Sequence, residues 1–249
     1  MTAARIGRGP ATGDAFGQML LKCLADDRAV AEIVERDDGQ IGIADARRYF
    51  AAHDQWGPRD HWVLARAAGR VVDVGAGAGR HSLELQERAM AVLALDVSPG
   101  AVEVMRRRGV RETYEGSIFR LAAENEGSFD TALLMGNNLG LLESREVSRR
   151  WLHALDRLLA PSGRILGIGM DPYATDNEDH LRYHERNRLR GRMGGQIRLR
   201  SRFETLATPW FDYLFASLSE LRDLLSESPW HIAETCEEGA GYAVELARS

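Results

Sequence analysis

Lysine is nearly absent from this sequence. Lys22 stands alone among 32 basic residues, so almost all of the positive charge is arginine. A GC-rich genome produces such usage without any chemical demand. Arginine nonetheless keeps its charge and grips carboxylates or phosphates with two donors at once, so where it clusters matters. Cysteine is almost as scarce. Cys23 and Cys236 lie far apart, which argues against a disulfide framework or a zinc cluster. No run approaches the roughly 18 apolar residues of a membrane span. Met1 to Asp14 is rich in Gly, Ala and Arg, without the apolar centre of a secretory signal, so the cytoplasm is the expected location. A net charge of −5 argues against a general nucleic-acid binder. With 44% hydrophobic and 28% charged residues, a chain of 249 residues suits one large globular domain, or one domain carrying an insertion.

What is present is an alternation of strands and helices. Strand-like runs at Arg70 to Val74, Ala91 to Val97, Val110 to Glu115, Phe129 to Met135 and Arg164 to Met170 are separated by helical segments. Ser98-Pro99 reads as a helix start, and Pro161-Ser162-Gly163 as the stop of a helix over Glu143 to Ala160. This rhythm predicts a doubly wound α/β core with a mostly parallel sheet. Two candidate strands, His231 to Cys236 and Gly241 to Ala247, form an antiparallel C-terminal hairpin at its edge. Before the core, Glu32 to Arg36 and Gln40 to Ala44 flank Asp38-Gly39 as a hairpin. After the fifth strand, Asp171 to about Phe215 is too long for a plain connection. It reads as a polar helix over Asp176 to Arg190 and strands at Gln196 to Thr205 and Trp210 to Ala216. The expected units are an N-terminal arm and cap (1–60), a core (61–170 and 216–249) and an α+β insertion after strand 5 (171–215).

The most informative stretch is Asp73-Val74-Gly75-Ala76-Gly77-Ala78-Gly79-Arg80-His81. A strand entering a glycine turn and then a helix presents backbone N–H groups and a positive helix end to a ligand. A P-loop is excluded because its lysine is missing. A dinucleotide fingerprint wants a small residue where Arg80 stands. Asp73 at the strand end repels a pyrophosphate and suits a ligand carrying ammonium and sulfonium groups.

This motif resembles the first motif of class I S-adenosylmethionine-dependent methyltransferases. The likeness continues in order. Asp96, in Ala94-Leu95-Asp96-Val97-Ser98, falls where that family places the acid for the ribose hydroxyls. Phe129 to Met135 is similar to its fourth strand, and Leu158 to Leu166 to its helix–turn–fifth strand passage. The terminal hairpin is similar to its added antiparallel strand. The resemblance implies a Rossmann-like seven-stranded sheet and the cofactor S-adenosyl-L-methionine. It places the cofactor on Asp73, Gly75, Ala76, Gly77, Gly79, His81, Asp96, Val97, Ser117, Ile118, Gly136 and Asn137. Glu115-Gly116-Ser117-Ile118 departs from the pattern by lacking an acid for the adenine amino group.

Methyl transfer from a sulfonium needs mainly positioning and exclusion of water, with a base where the acceptor carries a proton. His53, Tyr49 and Asn137 are the catalytic candidates. Tyr49, Phe50, Trp56, Asn138, Arg200, Arg202 and Trp210 are the substrate candidates, the arginines as an electropositive wall for an acidic acceptor. Asp171 and Asp176-Asn177 lack a diagnostic metal spacing, so no metal is expected. The expected activity is O- or N-methylation of a small molecule, without nucleic-acid or membrane partners and with homodimerisation open. The alternatives are an NAD(P)-dependent oxidoreductase and a donor-binding protein that has replaced transfer with another role, such as a cyclase or scaffold.

Overall fold

The computed structural model describes residues 10–26 and 29–249; the start of the expected N-terminal arm, residues 1–9, and residues 27–28 lie outside the described residues. A two-residue strand β1 (Ala11–Thr12), helix α1 (Ala15–Ala25), strands β2 (Ala31–Arg36) and β3 (Ile41–Asp45) and helix α2 (Pro58–Leu64) come first, with short 3-10 turns at Ala46–Phe50 and His53–Gln55. The alternating region follows as β4 (Val71–Val74), α3 (Arg80–Glu87), β5 (Val92–Asp96), α4 (Pro99–Arg108), β6 (Glu112–Glu115), α5 (Ile118–Glu124), β7 (Phe129–Leu134), α6 (Arg145–Leu158) and β8 (Leu159–Met170). The remainder holds α7 (Glu178–Leu189), β9 (Gln196–Phe203), β10 (Leu206–Ala207), β11 (Phe211–Leu214), α8 (Leu218–Leu225), β12 (Trp230–Glu238) and β13 (Gly241–Arg248).

Among the described residues one sheet has seven strands in the order β12-β13-β8-β7-β4-β5-β6. The stretch from β8 to β6 is parallel, and β13 enters antiparallel between β8 and β12. This is the α/β, doubly wound, Rossmann-like sheet the sequence predicts, closed by its antiparallel hairpin. All four residues of β4 are buried, as a strand covered by helices on both faces requires. Ser98 caps α4 by accepting the Ala101 N–H at 3.0 Å, and Gly109, at φ 92°, ends it in a left-handed turn. Sequence and structure differ at Pro161 to Gly163. The expected helix runs to Ala160, but α6 ends at Leu158 and β8 begins at Leu159, which pairs with Phe129 before a register shift restores the ladder at Thr131 and Arg164.

The second sheet, with six strands among the described residues, runs β1-β10-β9-β2-β3 with β11 also on β9. Its members come from both ends of the chain. Val34 of β2 pairs with Ser201 of β9 and Glu35 with Arg200, so the pre-core segment and the late insertion form one sheet instead of two caps. The reason is edge satisfaction. The hairpin of β2 and β3 and the strands of the insertion each leave backbone donors and acceptors open, and each closes the other.

This cap joins the core where helices α1 and α4 cross. Asp14 caps α1 through Gly17 N–H (2.9 Å) and also accepts Ser98 Oγ–H (2.8 Å) and Gly100 N–H (2.8 Å). The crossing is tight because both contact residues are glycine; a Cβ on Gly100 would lie 2.6 Å from the Gly17 carbonyl carbon. Met19, Leu20 and Ala78 of the glycine turn share one apolar cluster with Ala101 and Val104 of α4. Burying each large side chain there contributes about 1.5–3 kcal/mol. Gly100→Ala should therefore destabilise the protein by about 1–3 kcal/mol, since backbone must move to admit the methyl group. Urea unfolding checks this, with a lowered midpoint at unchanged slope expected.

Candidate active site

The glycine turn lies where strand order reverses, beside β4 with β5 on one side and β7 on the other, at the carboxyl edge of the sheet. Gly75, Gly77 and Gly79 have φ of 70°, 58° and 74°, a backbone that favours glycine. Side chains also crowd the turn. A Cβ at Gly75 would meet Asn138 Nδ2 at 2.6 Å, and one at Gly79 would meet Val110 at 2.9 Å.

Two buried carboxylates flank the turn. Asp73, 1% exposed, accepts the Ser82 hydroxyl on Oδ2 at 2.6 Å, while its Oδ1 has no hydrogen-bond partner among the described residues. Burial pushes its carboxyl up, against the opposing charges of His81 and Arg80 and the Ser82 hydrogen bond. Asp96, 6% exposed, accepts Gly77 N–H on Oδ2 and Ser98 N–H on Oδ1, both at 2.9 Å. Burial raises its pKa to about 6 despite those two bonds. Val97 beside it is exposed. Ser117 caps α5 by accepting the Arg120 N–H at 3.3 Å, and Ile118 is buried in the core.

Beyond β7 the chain turns through Gly136 and Asn137, at φ 62° and 70°. A Cβ on Gly136 would meet nothing within 4 Å, so this turn faces open space. Asn138 donates from Nδ2 to the carbonyls of Val74 (2.9 Å) and Gly75 (3.0 Å), locking this turn to the glycine turn. The Asn137 carbonyl accepts the hydroxyl of Tyr213 from β11 at 2.6 Å, a second clasp between cap and core.

The aromatic candidates divide between two places. Tyr49 lies over the glycine turn with Phe16, each 3.8 Å from where a Gly77 Cβ would stand. The Tyr49 hydroxyl donates to buried Glu32 at 2.6 Å, and Glu32 also pairs with Arg48. Burial and Glu32 push the phenol far up. Phe50 packs under the Arg108 guanidinium at 5.0 Å. Trp56, His81 and His53 gather along α3 instead. His81 Nε2 sits 2.9 Å from Asp60 with the Trp56 ring at 4.8 Å, and His53 contacts His61 (3.2 Å) and Arg88 (3.0 Å). Burial works against ionisation of Asp60, yet the His81 hydrogen bond and the Arg80 charge hold its carboxyl below the usual range.

The strand arginines are matched to acids on neighbouring strands. Arg200 and Arg202 both reach Glu35, at 2.8 and 3.3 Å, and Arg198 reaches Asp212 at 3.5 Å. The Arg200 guanidinium lies 4.6 Å over the Trp210 ring. Arg200 and Arg202 share the single acid Glu35, so their positive charge is offset only in part. A cavity of about 420 Å³ opens between the cap sheet, α7 and the end of β8. Its polar lining includes Arg36, Gln40, His180 and His184, none of them singled out from the sequence. The available signal was His180 and His184 spaced four apart on a helix, hence on one face.

Residues 71–163 match the family model described as a methyltransferase domain. A ubiquinone biosynthesis O-methyltransferase of Xanthomonas oryzae is 34% identical over 112 residues, covering 42% of this chain and 45% of that protein. The chain thus spans about half the length of the curated relatives it matches. A crystal structure of an S-adenosylmethionine-dependent methyltransferase from Bacteroides fragilis, in complex with S-adenosyl-L-homocysteine, aligns with TM-score 0.82 at 27% identity, over 96% of this chain and 97% of that one. A methyltransferase from Methanosarcina mazei shares the fold at TM-score 0.59 and 16% identity, over 78% and 98% of the two chains.

The pKa of Asp96 gives a signed prediction. Folding raises it from about 3.9 to about 6, so the folded state holds more protons between those values and this group's contribution to stability declines as pH rises through that window. A ligand hydroxyl donating to Asp96 favours the ionised carboxylate, so affinity for a ligand held there, with S-adenosylhomocysteine as the probe, should weaken as pH falls below about 6. Calorimetric titration from pH 5 to 8 should show this dependence in the wild type and its loss in Asp96→Asn.

Proposed function

With residues 71–163 a methyltransferase domain of the class I, S-adenosylmethionine-dependent kind, we propose that this chain transfers a methyl group from that donor to a small-molecule acceptor. The observation that carries the reading is the pair of buried acids about the glycine turn, one with an oxygen lacking any partner. Leaving such an oxygen orphaned is costly unless a donor arrives. An ammonium group answers it, whereas a pyrophosphate at the same place meets like charge.

The residues fit the donor as follows. Asp73 Oδ1 receives the ammonium, and Asp96 keeps acceptor capacity for ribose hydroxyls beside its two backbone bonds. Gly75, Ala76, Gly77 and Gly79 supply a backbone that approaches closely. Val97 and Ser117 border the base, with Ile118 supporting them from the core. Gly136 and Asn137 border the methionine end, and His81 positions α3 through Asp60. Once bound, the donor supplies a methyl group on a positively charged sulfur that leaves as a neutral thioether. The chain's own task is to align the acceptor and exclude water, which the cap does through Tyr49 and Phe16 over the turn and Tyr213 against Asn137.

The acceptor is an O or N nucleophile admitted between cap and core, and the proposed setting is the cytoplasm. Among the described residues no helix is long and apolar enough to cross a membrane. Incubation with isotopically methyl-labelled donor and a small-molecule extract tests this, with mass spectrometry for labelled products. A labelled small molecule is expected, absent with Asp73→Ala, together with a thermal shift from S-adenosylhomocysteine and none from NADH. Stabilisation by NADH alone would sink the reading. Donor binding without any labelled product would favour a binding protein instead.

A further inference from the structure

An edge strand offers unpaired backbone donors and acceptors to any chain that meets it, and charged side chains are a common safeguard. Both edges of the seven-stranded sheet carry that safeguard. β6 exposes Glu112 and Glu115, and β12 exposes His231, Glu234, Glu237 and Glu238. β3 is different. It ends the cap sheet with only β2 beside it among the described residues, and its Ile41 and Ile43 are 52% and 71% exposed.

The ladder with β2 shows which backbone groups of β3 are free. Arg36 N–H donates to the Gln40 carbonyl and Ala46 N–H to the Val30 carbonyl, both at 2.8 Å. Antiparallel bonds recur at every second residue, so Gly42 and Ala44, between these points, also turn their bonds toward β2. Ile41 and Ile43 therefore point their N–H and C=O groups to the open edge. Their side chains share one face with Ile33 of β2, which pairs with Ile43. The free backbone row and the apolar row belong to the same residues.

This edge is complementary to itself. When two copies lie antiparallel about a two-fold axis at Gly42, Ile41 of each faces Ile43 of the other, and both pairs exchange their backbone bonds. Gly42 then faces Gly42 in the closely spaced, non-bonded position, with about 4.5 Å between Cα atoms. An axis at Ile43 sets Ile41 against Asp45, and an axis at Ile41 sets Ile43 against Gly39 of the turn, so either loses the apolar match. The flanks agree with the Gly42 axis. Asp37 and Asp38 lie beyond one end of β3, and Arg47 and Arg48 follow the other, so the acids of each copy approach the arginines of its mate. Asp38 is already held by Arg36, while Asp37 engages Tyr183 and Arg186 through Oδ1 alone. Arg47 is exposed and has no ion pair among the described residues. Arg48 pairs with Glu32 yet leaves 55% of its side chain exposed.

We propose that β3 is a homodimer interface, where two copies of this chain join their cap sheets edge to edge through Ile41 and Ile43. So short a row buries far less than the roughly 1,600 Å² of a stable interface, which makes the dimer reversible and dependent on concentration. The paired strand β2 carries Glu32, which holds Tyr49 over the glycine turn, so the dimer forms behind the cover of the candidate active site. The interface requires nothing of the methyl-transfer chemistry.

Sedimentation velocity of the full chain across about a hundredfold dilution series is the first measurement. A monomer–dimer equilibrium is expected, without larger species, because the two-fold axis closes the pairing. Ile43→Lys should weaken the dimer at least tenfold. Ile43→Pro should do the same, since the N–H it removes points to the open edge and not to β2. Both variants should keep the circular dichroism spectrum of the wild type. The second measurement fixes the register. Gly42→Cys sets a thiol opposite its own copy at a separation a disulfide spans, and a Cβ there has only the Val34 carbonyl near it, at 3.9 Å. Mild oxidation should convert this variant to a covalent dimer, while the wild type, with free Cys23 and Cys236, gives none. A chain that stays monomeric at every concentration, a dimer indifferent to Ile43→Lys, or a Gly42→Cys protein that crosslinks no better than the wild type would overturn the proposal.

Discussion

Two carboxylates held out of water on either side of one glycine turn are the constraint around which this molecule is arranged. Asp73 ends β4 and Asp96 ends its parallel neighbour β5, so the sheet brings two like charges to the same edge. Burial opposes ionisation of both. Such a pair persists only where donors are supplied. Asp96 has them from the backbone of Gly77 and Ser98, and Asp73 has one from Ser82. Asp73 Oδ1 alone of these four oxygens has no partner among the described residues.

The cap is tied to this edge through the same short segment. Ser98 donates its N–H to Asp96 and its hydroxyl to Asp14, which caps α1. One helix start therefore serves Asp96 and the cap at once. On the other side Tyr213 reaches the carbonyl of Asn137, whose neighbour Asn138 grips the glycine turn. Any displacement of the cap is felt at both flanks of the turn.

Much of the fold was legible because its signals are local. Arg70 to Val74 reads as an apolar strand, Ser98-Pro99 as a helix start and the glycines as a turn, each within a few residues. The cap sheet was not legible as one body. Its two halves are paired by strands 165 residues apart, as Arg200 and Glu35 show, and nothing local announces which edge a strand will find. That Glu35 of β2 and Asp212 of β11 lie beside the arginines of β9 was accordingly not visible from sequence. His53 packs edge-on against Trp56 at 5.2 Å, as its place in the aromatic cluster suggests, and contacts His61 as well.

The sequence by itself determined the parallel core, the glycine turn and the positions of two acids at strand ends, since periodicity, capping and glycine conformational freedom act over a turn or a strand. Only the tertiary structure decided which charges are paired, which strand edge is left without a partner and where a cavity remains. Those properties belong to distances between segments remote in the chain, and desolvation, which gives buried groups their chemistry, is set by everything packed around them.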